Sequence, residues 1–133
     1  PIALLNYIAT IAEGGVMYEP HVNQALAPKV IDDLSSYAME IREVQRAMRQ
    51  TVTSPLGTGY KLNDLPFPIA AKTGSAQVRN NQEENAFFVG YIPADDPRLA
   101  ILILVEDAKE GSLNAVPIAR DVFEWYYWNR IKT

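Results

Sequence analysis

The chain has 133 residues, and 12 Lys and Arg against 16 Asp and Glu give it a formal charge of −4. Hydrophobic residues make up 48% and aromatic residues 10%, which excludes an intrinsically disordered chain and is enough for one buried core. The negative charge disfavours nucleic acid as a partner, because tracking phosphates needs a positive surface. We therefore expect one folded unit.

Cysteine and histidine usage narrows the chemistry. The chain has no cysteine, which excludes disulfides, thiolate catalysis and cysteine-ligated zinc. Its single histidine, His21, excludes a His-rich metal site, and we expect neither a metal nor a cofactor. The longest apolar run, Leu99–Val105, is too short to span a membrane. Since the chain opens at Pro1 without a methionine, we expect it to be part of a larger protein.

The N-terminal half is predicted to hold two helices and two short strands. Helical periodicity predicts a first helix over 1–12, which the pair Gly14-Gly15 ends. Short alternating runs at 16–18 and 24–26 predict a pair of strands. A second helix is predicted to begin with Ser35 or Ser36 as its N-cap and to end before the prolines and glycines of 55–59, with 61–68 as a linker. Its predicted core-facing residues are Ile41, Val44, Met48 and Val52.

The C-terminal half is predicted to form a sheet followed by a helix. Three strands are predicted at 69–78, 86–92 and 99–105, and their short loops imply antiparallel pairing. The third is apolar on both faces, so we place it at the centre of the sheet. A last helix is predicted from the N-cap Asn114 to Asn129, burying Val116, Ala119, Phe123 and Tyr126. The fold class is α+β, with an antiparallel sheet flanked by helices.

The segment Ala71–Gln77 concentrates the polar chemistry of the first long strand. A lysine, two hydroxyls and a glycine follow one another there. A glycine inside a strand usually marks the close approach of a ligand or another backbone, and a strand edge can receive an extended peptide. The structural alternative is an edge strand with solvated side chains.

The residues around this segment carry a family resemblance. A Lys-Thr-Gly tripeptide is shared by penicillin-binding proteins and class A β-lactamases, and the Ala-Gln that follows favours class B penicillin-binding proteins. The resemblance continues over Pro1–His21, Met48–Tyr60, Asn85–Pro93 and Val116–Arg120, so it covers essentially the whole chain. The sequence therefore resembles the C-terminal part of a class B penicillin-binding protein transpeptidase domain, of the cell-elongation type.

This resemblance implies a fold and an activity. The fold would be the C-terminal part of the penicillin-binding transpeptidase, or serine β-lactamase-like, fold. The activity would be serine D,D-transpeptidation, which cross-links peptidoglycan stem peptides at the extracytoplasmic face of the membrane and is blocked by acylating β-lactams. The cell-elongation machinery would be a further partner. Two alternatives stay open: a D,D-carboxypeptidase or β-lactamase-like hydrolase, and a catalytically silent module that binds peptidoglycan or a partner.

The resemblance also implies roles for single residues. Lys72 would place positive charge near the substrate carboxylate, and Thr73 would donate its hydroxyl to that carboxylate. Gly74 would admit the ligand backbone, and the Ser75 N–H would form half of the oxyanion hole. The implied catalytic residues are Lys72 and Ser75, and the implied substrate-binding residues are Thr73, Gly74, Ala76 and Gln77.

The nucleophile of the family is missing from these 133 residues. The family uses a Ser-x-x-Lys motif, and no serine of this chain has a lysine three positions later. A Ser-x-Asn pattern occurs at 112–114, but it follows the Lys-Thr-Gly tripeptide instead of preceding it. We therefore interpret Asn114 as a helix cap, and we expect the nucleophile and the second motif upstream of Pro1. The chain alone would be inactive and would expose apolar surface to the upstream half of the same protein.

Three other tempting features have ordinary structural interpretations. His21 has no catalytic partner and is predicted to lie in a loop or at a strand edge. The run Gly57–Gly59 lacks the ending of a phosphate loop and is predicted to be a turn. The aromatic cluster Trp125–Trp128 cannot face one core with all four rings, so part of it should be exposed.

Overall fold

The computed structural model describes residues 1–78, 83–108 and 111–132. Short 3₁₀ turns occupy Ser35–Tyr37 and Tyr60–Leu62, and a π-helical turn occupies Tyr127–Ile131. The α+β class predicted from the sequence is confirmed. The helices and strands in chain order are α1 (Ile2–Ala12), β1 (Val16–Tyr18), β2 (Val30–Asp33), α2 (Ala38–Thr53), β3 (Ala70–Val78), β4 (Glu83–Ile92), β5 (Leu99–Val105) and α3 (Gly111–Tyr126).

The main sheet is antiparallel, with the strand order β3-β4-β5. Thr73 lies opposite Phe88, which lies opposite Ile103, and the register of both pairs runs without interruption. The predicted bounds of β3 are right to one residue, and those of β5 are right at both ends. β4 begins at Glu83, three residues before the prediction, because polar residues extend the pairing toward the turn.

The prediction that β5 lies at the centre of the sheet is wrong. Within the described ranges β4 is central and β5 is an edge strand. Both faces of β5 are nevertheless covered, since Ile101 and Ile103 pack toward α3 whereas Ala100 and Leu102 pack toward α1. Apolar residues on both faces of a strand indicate that helices cover it above and below. They do not indicate how many strands lie beside it.

The sheet separates two apolar layers. Between the sheet and α3, Phe88 and Phe123 meet edge to face with their ring centroids 6.0 Å apart. On the other face, Ile8 and Ile11 of α1 pack with Met48 and Tyr91. The hydroxyl of Tyr91 is buried without a hydrogen-bond partner in the described part of the chain, and burial raises the pKa of Tyr91 to about 12. The sheet is therefore held from both faces.

Two predictions for the N-terminal half, the position of the second short strand and the cap of the second helix, are wrong. The second short strand is not at 24–26 but at Val30–Asp33, where it pairs with Val16–Tyr18. Neither predicted serine caps the second helix. Instead the Asp33 carboxylate accepts a hydrogen bond from the Ser35 N–H at 2.9 Å, and a 3₁₀ turn precedes α2.

The helix faces agree with the predicted periodicity over most of their length. Met48 and Val52 are buried, whereas Val44, predicted to be buried, is 42% exposed. The helix break at the glycine pair is confirmed, since Gly14 and Gly15 have φ values of 74° and 115°. Val44 lies nearer the start of α2, and it lines an open apolar groove between α1 and α2.

The last helix begins earlier than predicted. α3 starts at Gly111, so Asn114 lies inside the helix and the prediction that it is the N-cap is wrong. Val116, Ala119 and Phe123 are buried as predicted. The sequence predicts loops at 79–84 and 107–113, of which residues 79–82 and 109–110 lie outside the described residues.

The predicted linker at 61–68 is part of the core. Leu62, Leu65 and Phe67 are all buried there. The segment is also tied to α3, because the Arg120 guanidinium donates to Asp64 Oδ1 at 2.6 Å and to Asp64 Oδ2 at 2.9 Å. The segment 61–68 before β3 is thus held both by its buried side chains and by its ion pair with α3.

We expect Asp64→Asn to lower the midpoint of thermal unfolding slightly at pH 7 and not at all in strong acid. The hydrogen bond from Arg120 holds the pKa of Asp64 below its usual value of 3.8, although the pair is exposed and its effect small. A depressed carboxyl pKa stabilises the fold above about pH 4 and loses that effect as the pH falls through the folded-state value. Thermal melts of both proteins at pH 7 and pH 2 measure this. A difference that persists at pH 2 would contradict the assignment.

Two smaller predictions concern exposed residues. His21 is exposed and lies outside the regular elements, as predicted. Trp125 is 56% and Trp128 46% exposed, which confirms that the aromatic cluster is divided between core and solvent. Across the described ranges, no helix has both the length and the apolar character needed to cross a bilayer.

Candidate functional site

The segment singled out in the sequence lies on an edge strand. β3 pairs with β4 along its whole length, from Ala70 to Val78, and no other described strand pairs with its opposite side. We call that side the free edge. The outward backbone groups there have no ladder partner among the described strands, because an edge strand leaves every second N–H and C=O without one.

Hydrogen bonds just before β3 show which residues face the free edge. The Ile69 carbonyl accepts a hydrogen bond from Arg49 Nη1 of α2 at 2.8 Å, whereas the Pro68 carbonyl accepts one from the Ala94 N–H, just past β4, at 2.8 Å. In an antiparallel pair the backbone groups of successive residues point alternately toward and away from the partner strand. Odd-numbered residues of β3 therefore face the free edge.

The opposite side of β4 supports the same assignment. The Ile92 carbonyl accepts from the Arg98 N–H at 2.8 Å, so Ile92 faces β5. Its neighbour Tyr91 then faces β3, where its register partner is Ala70. Ala70 makes ladder bonds to β4, and Ser75, five residues later, has the opposite orientation. The Ser75 N–H therefore points out from the free edge.

Lys72 and Thr73 lie on opposite faces of β3 but meet at the free edge. The Thr73 side chain is on the α3 face and is 7% exposed, whereas the Lys72 side chain is exposed on the other face. Lys72 Nζ donates a hydrogen bond to the Thr73 carbonyl oxygen. That carbonyl belongs to an odd-numbered residue, so the ammonium lies beside the free edge. The structure thus brings these two predicted site residues together.

The remaining predicted site residues continue along the same edge. Gly74, Ser75 and Gln77 are exposed, and Ala76 is half-buried. By alternation, Ser75 and Gln77 share the face of Thr73, and Ala76 shares the face of Lys72. The Ser-x-Asn pattern at 112–114 lies in α3 and is not part of this strand.

Gly74 has no packing reason to be a glycine. A Cβ added there would meet only Phe87 Cβ, at an ordinary 3.8 Å. A Cβ added to Gly57 would lie 2.1 Å from the Thr51 carbonyl oxygen, so Gly57 is required by the fold. The absence of a side chain at Gly74 leaves open space on the Lys72 face of β3.

We expect Gly74→Ala to leave the fold intact and to weaken ligand binding at the edge. The free energy of unfolding should change by less than about 1 kcal/mol, whereas acylation of the intact protein by a penicillin should slow about 10-fold or more. Gly57→Ala is the matched comparison and should cost about 1–3 kcal/mol of stability through overpacking. Denaturant unfolding and acylation kinetics measure both variants. Equal acylation rates for Gly74→Ala and the unmodified protein would contradict the prediction.

One residue at the site was missed from the sequence. Thr58, in the predicted turn Gly57–Gly59, has its hydroxyl oxygen 2.6 Å from that of Thr73. The sequence pattern does not connect the two threonines, because fifteen residues separate them and no periodicity relates them. The available signal was a hydroxyl residue between two glycines inside one of the stretches that carry the family resemblance.

The site holds no obvious place for a metal. In 1–78, 83–108 and 111–132, no three His, Asp or Glu side chains come close enough together to hold an ion. What the edge offers is a hydroxyl pair, an ammonium and outward backbone N–H groups. Such groups bind a carboxylate and the oxygen of a polarised carbonyl.

The family described as penicillin binding protein transpeptidase domain matches residues 1–124. The chain is 28% identical to the peptidoglycan D,D-transpeptidase MrdA of Haemophilus influenzae over 98% of its length, which is 24% of that relative. It therefore spans about a quarter of the length of this curated relative.

Solved structures show the same likeness. Penicillin-binding protein PBP2 of Helicobacter pylori superposes with a TM-score of 0.87 at 26% identity, over 98% of this chain and 24% of that one. PBP2 of Pseudomonas aeruginosa, crystallised with WCK 5153, superposes with a TM-score of 0.84 at 27% identity, over 98% of this chain and 31% of that one. The fold described above is thus similar to part of each of these proteins.

Proposed function

Because the chain belongs to the family of penicillin-binding protein transpeptidase domains, we propose that it forms one side of a serine acyl-transfer site that cross-links peptidoglycan stem peptides. The observation that carries the proposal is the free edge of β3, with the Ser75 N–H directed outward and Lys72 beside it. The similar protein of Haemophilus influenzae is named a peptidoglycan D,D-transpeptidase, which supports the same activity.

In this proposal a stem peptide binds as an added strand. Outward N–H and C=O groups of Thr73 and Ser75 pair with its backbone, as an extended peptide pairs with an exposed sheet edge. The Thr73 hydroxyl donates to the terminal carboxylate, and the Lys72 ammonium lies close enough to favour that negative charge. Gly74 leaves room for the ligand backbone between them.

The reaction needs a group from outside these 133 residues. We propose that the serine nucleophile is contributed by another part of the same protein, since no serine here has the lysine that its activation requires. The Ser75 N–H then stabilises the oxyanion that forms when the serine attacks the peptide or β-lactam carbonyl. Ala76 and Gln77 extend the binding edge beyond the reacting bond.

The cellular setting belongs to the same proposal. Peptidoglycan stem peptides and β-lactam antibiotics would be the ligands, and the cell-elongation machinery would be the partner assembly. In this proposal the site lies at the extracytoplasmic face of the cell membrane. The upstream half of the same protein would complete the active site against this chain.

Covalent labelling of the intact protein by a fluorescent penicillin tests the proposal. We expect one label per molecule, blocked by prior incubation with unlabelled penicillin. Folded protein that takes up no label would overturn the proposal and favour a module that only binds peptidoglycan. With a donor stem peptide and an amine acceptor, cross-linked product identifies a transpeptidase, whereas hydrolysed donor alone identifies a carboxypeptidase.

A further inference from the structure

The Thr73 hydroxyl, which the proposed chemistry assigns to the carboxylate, is paired with a second hydroxyl, that of Thr58, which has no assigned role. Their oxygens are 2.6 Å apart, at the short end of the O–H···O range. Thr73 is 7% exposed on the face toward α3, whereas Thr58 is exposed in the turn that follows α2. The pair therefore joins the interior side of β3 to the surface beside its free edge.

The turn that carries Thr58 is held in place by α2. The Gly59 N–H donates to the Thr51 carbonyl at 3.0 Å, and the Gly57 N–H donates to the Ser54 carbonyl at 2.8 Å. A side chain at Gly57 would overlap the Thr51 carbonyl, so the turn lies directly against the end of the helix. Since Arg49 of the same helix binds the Ile69 carbonyl, α2 and its turn are fixed along the free edge. The position of the Thr58 hydroxyl is therefore built into the fold.

Counting hydrogens shows what this pair can do. Two hydroxyls carry two hydrogens, and one of them occupies the bond between the oxygens. Neither hydroxyl has a second partner in the part of the chain that the structure describes, so the other hydrogen is available to a ligand. A carboxylate accepts hydrogen bonds and cannot donate one. If Thr73 gives its hydrogen to a carboxylate, then Thr58 must supply the hydrogen between the two oxygens.

We propose that Thr58 is a positioning residue for carboxylate recognition. Its hydroxyl donates to Thr73 Oγ1 and directs the Thr73 hydrogen toward the carboxylate of the bound stem peptide or β-lactam. The chained bonds also polarise each other, which strengthens the outer one. This inference rests on the proposed function, because it assigns Thr58 to the carboxylate end of that same ligand.

The test uses the intact protein and two probes, benzylpenicillin and its methyl ester, which lacks the negative charge. For Thr58→Val we expect acylation by benzylpenicillin to slow about 10-fold, and acylation by the ester to change less than about 2-fold. Thr58→Ser, which keeps the hydroxyl, should restore the rate to within about 3-fold. Thr53→Val is the matched control, since its hydroxyl only donates to the Arg49 carbonyl within α2, and both probes should be unaffected.

Comparing the probes on one preparation separates recognition from folding. The ratio of the two rates does not depend on the fraction of folded protein, and Thr58→Ala provides a second variant for the same ratio. Equal slowing of both probes would reduce Thr58 to a structural role and overturn the inference. An unchanged rate with benzylpenicillin would overturn it as well, while leaving the proposed function intact. If the unmodified protein reacted with neither probe, the proposed function itself would be overturned.

A double-mutant cycle distinguishes action through Thr73 from direct contact with the ligand. If Thr58 acts by orienting Thr73, adding Thr58→Val to Thr73→Val should slow benzylpenicillin acylation by less than about 2-fold further. A full additional 10-fold loss would mean that Thr58 binds the carboxylate independently, which contradicts a positioning role.

Discussion

Ser75→Pro is expected to slow acylation of the intact protein by about 10²–10³-fold while β3 stays paired with β4. Proline removes the backbone N–H, and the Ser75 N–H is assigned to the oxyanion hole. Since that N–H faces the free edge, its loss breaks no ladder bond, and proline is tolerated on edge strands in this orientation. The preceding Gly74 is already extended, as a residue before proline must be. Stopped-flow acylation with a fluorescent penicillin, together with thermal unfolding, measures both effects.

Two neighbouring variants make this prediction specific. Ser75→Ala keeps the N–H and should react within about 3-fold of the unmodified protein. In Ala76→Pro the lost N–H is one that faces β4, so this variant should be destabilised by about 1–3 kcal/mol. If Ser75→Pro were the destabilised variant and Ala76→Pro the stable one, the assigned orientation of β3 would be wrong.

Lys72→Ala should slow acylation by about 10³-fold with little change in stability. An ammonium about 4 Å from a carboxylate contributes about 4 kcal/mol at intermediate dielectric, which corresponds to that factor in rate. The side chain is exposed, and its one hydrogen bond among the described residues is to the Thr73 carbonyl, so the fold does not depend on it. The measurement is the acylation rate at pH 7, with the free energy of unfolding determined on the same protein.

Lys61→Ala is the matched control for the charge. Lys61 is also exposed, lies in the 3₁₀ turn Tyr60–Leu62, and has the same formal charge. Its removal should change acylation by less than about 2-fold. Equal effects of the two substitutions would mean that overall charge, and not the position of Lys72, governs the rate. Unchanged acylation in Lys72→Ala would remove Lys72 from the proposed site.

Short stretches of sequence predicted where the helices and strands lie better than they predicted which of them lie side by side. Gly14 and Gly15 require a left-handed backbone, and β-branched residues favour strands, so the end of α1 and the bounds of β5 could be read from short windows. The position of β5 within the sheet could not, because burial on two faces and pairing on two edges are independent. Asn114 shows a related limit: a residue suited to capping does not cap when α3 begins three residues before it.

The candidate site also has a part that could be predicted from local sequence and a part that depends on distant residues. The segment Ala71–Gln77 stands out in the sequence because its polar residues and glycine interrupt a strand, and it does lie on an edge. The contacts that orient this edge come from distant residues. Arg49 reaches Ile69 across 20 positions, and Thr58 reaches Thr73 across 15. Neither spacing matches a helical or strand period, so only the packing of α2 beside β3 reveals them.

The outer edge of β5, which pairs with no described strand, is expected to make the isolated chain prone to aggregation. Its seven residues contain no charge, proline or glycine, which is the composition of segments that stack into cross-β fibres. Within the described ranges no strand protects that side. Leu104→Lys would reduce this pairing between copies, since the Leu104 side chain is already 36% exposed and the added charge would repel a second copy. The unpaired edge of β5 that would join copies of the isolated chain would be protected wherever another segment pairs with it.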